Sequence, residues 1–208
     1  MVIRAGVIIL AAALVCCSAQ AQSLLLDNGE SSWDLQVGFV GVDQSSGASG
    51  GVGYSFSRLV GLGVHTNVLI EDGGYYGGNS TDVTFGPHLD IYPLRARDQA
   101  VAFVLGLHGS ATFQTGAGSR NVTSFGASAN LILGADSKSG VVLKAGGVEN
   151  SVSGASQMTE SGVVGLEVFF RSVNRGVVRL IFEYGATEGT SSFAGGFGIS
   201  FGGTKAKS

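Results

Sequence analysis

The chain has 208 residues, room for one domain, and 35 of them are glycine, more than twice the usual share. Only two prolines accompany them, which excludes collagen-like and proline-rich disordered chains, and 44% apolar with only 13% charged residues argues against intrinsic disorder. A net charge of -3 lacks the basic excess that a nucleic-acid binder needs, so no nucleic-acid partner is expected.

Residues 1–21 read as a secretory leader. Arg4 supplies the positive start, residues 6–15 an apolar run too short to span a bilayer, and Ala19-Gln20-Ala21 the small-x-small cleavage pattern. Cys16 and Cys17 both fall in this segment, so the mature chain is expected to have neither a disulfide nor a thiolate nucleophile. No later stretch approaches the ~20 consecutive apolar residues of a membrane helix. If the mature protein crosses a membrane, it does so as strands.

From there on the pattern has period two. Trp33, Leu35, Val37 and Phe39 oppose Asp34, Gln36 and Gly38. A weaker version occupies residues 52–56. Val60, Leu62, Val64, Thr66, Val68 and Ile70 then oppose Gly61, Gly63, His65, Asn67, Leu69 and Glu71. Val83, Phe85, Leu89 and Ile91 oppose Thr84, Gly86, His88 and Asp90, with Pro87 implying a distortion because it cannot donate to a ladder. Similar alternation covers residues 101–108 and 125–131, more weakly 141–145 and 164–170, and again 178–184 and 193–201. Ten strands are predicted, with eight as the alternative. A strand of ~10 residues tilted ~40° spans ~25 Å, about the height of an outer-membrane apolar band.

The connectors read as long at residues 44–50, 72–81, 114–121, 150–161 and 186–192, and as shorter between them. Long loops then share one end of the molecule and tight turns the other, together with both termini. The long-loop end collects Asp43, Glu71, Asp72, Asp82, Glu149, Glu160 and Glu188 against Arg120. The short-turn end collects Arg58, Arg95, Arg97, Lys138, Arg171, Arg175, Lys205 and Lys207 against Asp98 and Asp136. The basic end suits anionic phospholipid headgroups, and the acidic end suits divalent cations at a lipopolysaccharide surface.

The leader, the Gly-aromatic alternation, and stretches such as Gly53-Tyr54-Ser55-Phe56-Ser57 and Phe85-Gly86-Pro87-His88 resemble the small outer-membrane β-barrels typified by OmpA and OmpX. The resemblance implies an all-β, antiparallel up-and-down transmembrane barrel over residues 22–201, followed by a short periplasmic tail, 202–208. It also implies that Gly196, Ile199 and Phe201 form a final-strand signal for the barrel assembly machinery. The chain departs from the family in the seven residues that follow Phe201. A soluble sandwich would put the apolar face inside. The many glycines on the polar face, among them Gly38, Gly63, Gly86, Gly106, Gly126 and Gly198, suit a crowded lumen better than a water-facing surface.

Candidate chemistry is sparse. A symmetric hairpin closed by residues 72–81 would set His65 opposite His88, with His108 facing Gly86 and Asp90 on the same face. Imidazoles with a carboxylate are candidate Zn²⁺ or Cu²⁺ ligands, though a hydrogen-bonded polar lumen is the stronger expectation. Asp34, Lys144, Glu167, Arg179 and Glu183 also point to the lumen, where ion pairs fill a small barrel; a charged constriction in a pore is the alternative. His108-Gly109-Ser110 is similar to the His-x-Ser arrangement of outer-membrane lipid A deacylases, but no acid follows until Asp136. Tyr75 and Tyr76, held between paired glycines, read as an adhesive loop tip or an aromatic girdle pair. The expectation is a monomeric, non-enzymatic outer-membrane barrel without a cofactor, in contact with membrane lipid and lipopolysaccharide. A narrow pore is the alternative, and a lipid-modifying enzyme is the third reading.

Overall fold

A computed structural model describes residues 31–42, 45–56, 59–71, 80–94, 100–115, 121–134, 137–152, 158–171, 176–187 and 190–202. The leader 1–21, Tyr75 and Tyr76, residues 203–208 and most of the charges assigned above to the two ends lie outside these residues. Ten strands follow in chain order: β1 (Ser32–Val42), β2 (Ser45–Phe56), β3 (Val60–Glu71), β4 (Ser80–Leu94), β5 (Val101–Thr115), β6 (Asn121–Leu133), β7 (Ser139–Val152), β8 (Met158–Arg171), β9 (Gly176–Thr187) and β10 (Thr190–Gly202). Each pairs antiparallel with its chain neighbours, and β1 pairs with β10 to close a barrel. Ten strands, not eight, complete the ring.

The period-two sequence maps directly onto this wall. Trp33, Leu35, Val37 and Phe39 on β1, and Phe193, Phe197, Ile199 and Phe201 on β10, are all exposed on the outside. Asp34, Gln36, Ser192 and Ser200, which alternate with them, are buried inside. The polarity is that of a soluble protein turned inside out. A belt of exposed Phe, Leu, Ile and Val this large has only lipid as a compatible solvent. Leu105 lies within the outward row of β5 and is 41% exposed. Leu105→Arg is therefore expected to cost about 2–4 kcal/mol if it sits near the bilayer midplane. A buried lumen change of little volume, Ser128→Ala, should cost much less. Urea unfolding in lipid vesicles checks the pair, and equal losses would remove the lipid-facing assignment.

Several of the long connectors are corrected. Only residues 43–44 separate β1 from β2, and only 188–189 separate β9 from β10. Residues 45–50, 186–187 and 190–192, read above as loop, are ladder, and the connector at 150–161 shrinks to 153–157. Ser and Gly carry no inside-outside contrast, so their alternation is invisible, yet their backbones pair as well as any. The longest connection at the end opposite the termini is 72–79. The loop-length division between the two ends is thus much weaker than expected.

Pro87 leaves a gap in the β4–β5 ladder: Phe85 pairs with Ala111 and His88 with His108, but Gly86 and Pro87 have no β5 partners. The register is the same on both sides of the gap. The register shift in this strand pair comes later, between Ile91 and Leu94. At the β6–β7 connection Gly134 adopts φ 76°, a left-handed turn that a side chain would strain, and its N–H donates to the Ala100 carbonyl.

Candidate functional site

The lumen is layered. At the end that carries the termini, Tyr92, Ala102, Val104, Ile132, Val142, Phe169 and Val177 form an apolar plug. Val40, Val42, Leu69 and Ala194 cluster at the opposite end, and Val148 packs with Val163 there. Between them lies a layer of charged and polar side chains. The expected polar lumen does not include this plug. Its sequence signal is loss of alternation: Leu131-Ile132-Leu133, Val141-Val142-Leu143, Phe169-Phe170 and Val177-Val178 are apolar on both faces.

Arg179 organises the charged layer. It is fully buried, and its Nη2 donates to Asp34 Oδ1 at 2.6 Å while Nη1 donates to Glu167 Oε2 at 2.9 Å. Ser200 Oγ donates to the other Asp34 oxygen. Arg179 stands on β9, Glu167 on β8, Ser200 on β10 and Asp34 on β1, so these four side chains together tie four strands. A second pair, Lys144 Nζ on β7 to Glu183 Oε1 on β9, closes at 2.8 Å. The arrangement brings all five expected network residues into one buried layer, as two ion-paired groups.

The glycines make this layer possible. A Cβ on Gly198 would come within 2.6–2.8 Å of the Arg179 guanidinium, which crosses β10 at that point to reach β1. Gly198 is the cross-strand partner of Arg179. Gly165 faces both Lys144 and Glu183, and a Cβ there would meet the Glu183 side chain at 3.1 Å and Lys144 Cβ at 3.3 Å. The rings of His88 and His108 occupy the space where side chains of their partners Gly63 and Gly126 would stand. A large lumen group is thus repeatedly set opposite a residue with no side chain.

The histidine register differs from the expected one. His65 pairs with Gly86, and His88 pairs with Gly63 on β3 and with His108 on β5. β3 ends at Glu71 and β4 begins at Ser80, two pairing steps from the symmetric hairpin assumed above. A slip of that size keeps every side chain on its own face, so alternation cannot detect it. His88 and His108 oppose one another at the backbone, yet their rings lean apart, one over β3 and the other over β6. Neither His65 ring nitrogen has a hydrogen-bond partner among the described residues, and His88 Nε2 lies 3.8 Å from Asp90 Oδ2. Among the described residues no three His, Asp or Glu groups come together as a metal site, so His65, His88 and Asp90 do not form one. Ser110 is buried and its Oγ has no hydrogen bond to His108 or to any other described residue. No base is therefore aligned on it here.

In the final-strand segment, Phe201 pairs with Trp33, Ile199 with Leu35 and Gly196 with Gly38. Trp33, Tyr54 and Phe56 form an outward aromatic cluster near this end, with ring centroids 4.9 and 4.8 Å apart in successive pairs. Gly196 and Gly38 approach so closely that a Cβ on Gly196 would lie 2.8 Å from Gly38 Cα.

No protein-family model matches the chain, and no curated protein is similar to it at a significant level. Solved structures are similar in shape. An outer-membrane channel from Pseudomonas putida F1 is 9% identical, with 88% of this chain and 99% of that chain covered and a TM-score of 0.51. The β domain of the Bordetella autotransporter BrkA is 10% identical over 84% and 100% of the two chains, with a TM-score of 0.48. Ail of Yersinia pestis in a phospholipid nanodisc is 12% identical over 84% and 100%, with a TM-score of 0.41. At these identities the likeness is one of fold. The chain has the fold of the small outer-membrane β-barrels.

Proposed function

We propose that the protein is a non-enzymatic, non-conducting barrel of the bacterial outer membrane that contributes to envelope integrity or to surface contact through its loops. The observation that carries this reading is the filled lumen. Arg179, Asp34, Glu167 and Asn130 are all at most 2% exposed, and the plug around Phe169 stands beneath them. A pore needs a water-wide path through this layer, and the ion-paired side chains occupy it. A role at the envelope fits a belt that solvates in lipid and an interior that serves rigidity. The partners are then membrane lipid, lipopolysaccharide and the assembly machinery that inserts the barrel, and the working form is a monomer. The leader would be cut after Ala21, so the mature chain would begin at Gln22, which N-terminal mass spectrometry reads directly.

Planar-bilayer recording tests the central claim. The purified barrel is expected to add no unitary conductance steps to a lipid bilayer. Regular steps would favour the alternative, a narrow pore gated by the Arg179 layer, for which the Pseudomonas channel of the same fold is a precedent. Lipid A mass spectra from overexpressing cells should be unchanged; loss of an acyl chain would revive the His108–Ser110 enzyme reading.

A further inference from the structure

Barrel closure poses a register problem that the outer surface leaves open. Along the β1–β10 seam, Trp33, Leu35 and Val37 face Phe201, Ile199 and Phe197. A slip of two residues keeps every side chain on its own face and still sets apolar against apolar. Lipid contact therefore scores the native and slipped seams almost alike.

The inner surface does distinguish them. In the native register Asp34 lies opposite Ser200, which donates to one of its oxygens, while Arg179 crosses over Gly198 to the other. A slip in one direction sets Gln36 opposite Ser200, and a slip in the other sets Ser32 there. Either way the Asp34 carboxylate leaves its guanidinium and stays buried, the costly way to break an interior ion pair. Arg179 is anchored independently on the far side by Glu167 of β8 at 2.9 Å, so it stands in place before β1 arrives. Gly198 provides the open lane between them.

We propose that Asp34, Arg179, Gly198 and Ser200 form a register lock for barrel closure, in which the first strand is admitted beside the last only where its carboxylate meets the waiting guanidinium. The lock acts on the choice among closed barrels, apart from whatever it adds to their stability.

Paired cysteines read the register. In the full chain expressed in Gram-negative cells, with Cys16 and Cys17 changed to Ser, Val37→Cys with Phe197→Cys reports the native seam. Val37→Cys with Ile199→Cys reports a two-residue slip; in the native seam these positions are diagonal, with strand-pair spacings of ~7–8 Å. A disulfide needs Cβ atoms ~3.5–4.5 Å apart. Without further change, only the native cross-link is expected. Asp34→Asn combined with Gln36→Asp moves the carboxylate two places along β1 and should raise the slipped cross-link at least tenfold over its background. Asp34→Asn alone should give a mixture of both. Native cross-linking alone in both variants overturns the lock. Failure of both variants to form any closed, heat-modifiable barrel overturns it too, because a register lock predicts redistribution among closed forms and not loss of closure.

Discussion

Arg179→Met is expected to lower the unfolding free energy by about 3–5 kcal/mol, the cost of removing one partner from a buried ion pair. Its guanidinium is shared by two carboxylates, Asp34 and Glu167, and neither is exposed to solvent that could replace it. Methionine is apolar and of comparable length, so lost volume contributes little. The loss should belong to the stranded charges and not to the missing arginine itself. Accordingly, Arg179→Met combined with Asp34→Asn and Glu167→Gln should recover most of the stability, since neutral polar groups cost far less to bury than charges. The measurement is urea unfolding in detergent or vesicles, followed through the fluorescence of Trp33, the single tryptophan of the chain. A triple variant no more stable than the single one would show that the network acts through packing alone.

The second large effect is expected at Gly196. A Cβ at this position would lie 2.5 Å from the Val37 carbonyl oxygen and 2.8 Å from Gly38 Cα, both backbone atoms of β1. Backbone cannot swing aside as a flexible side chain can. Gly196→Ala should therefore wedge the seam open and cost about 1–3 kcal/mol or more, in the range of overpacked sites. The family resemblance offers a different reason for the same residue, as part of a signal for the assembly machinery. The two accounts separate in a refolding reaction free of cellular components. The steric account predicts a reduced yield of folded, heat-modifiable protein there too. The signal account predicts normal refolding in vitro and loss only in cells. Phe201→Ala is the complementary case. Phe201 is exposed and opposite Trp33, so its loss should leave refolding in detergent nearly unchanged; the signal account alone predicts reduced insertion in cells.

The wall of this barrel is legible in the sequence because lipid outside and polar groups inside impose the strongest contrast that a strand can carry. Where either face loses that contrast, the reading fails. The first half of β2, Ser45-Ser46-Gly47-Ala48-Ser49-Gly50-Gly51, pairs fully with β1 although small residues on both faces make it look like a loop. The plug fails for the opposite reason: Ile132 and Phe169 point inward beside neighbours just as apolar that point outward. The histidine register differs from the symmetric one by two residues, an even displacement, to which alternation is blind. In the charged layer, Glu167 and Arg179 are on neighbouring strands, and their spacing suggests contact. The partnership of Asp34 with Arg179 spans 145 positions and an intervening strand. It exists only once the ring is closed, so no local pattern could announce it.

The pairing of bulky lumen groups with glycines has a consequence for how such an interior can change over time. Arg179 is written twice in the chain, once as itself and once as the blank at Gly198; His88 with Gly63 and His108 with Gly126 repeat the device. A mutation that enlarges the blank is penalised while its partner is large. One that shrinks the partner leaves a hole that the blank cannot fill without a second change. Drift within this lumen should therefore proceed in couples, with bulk passing from one strand to the next. Sequences descended from a common ancestor would then exchange large and small residues across a rung while the sum of the two stays nearly constant. Laboratory libraries that randomise both members of each rung together should yield folded barrels far more often than libraries that vary either member alone.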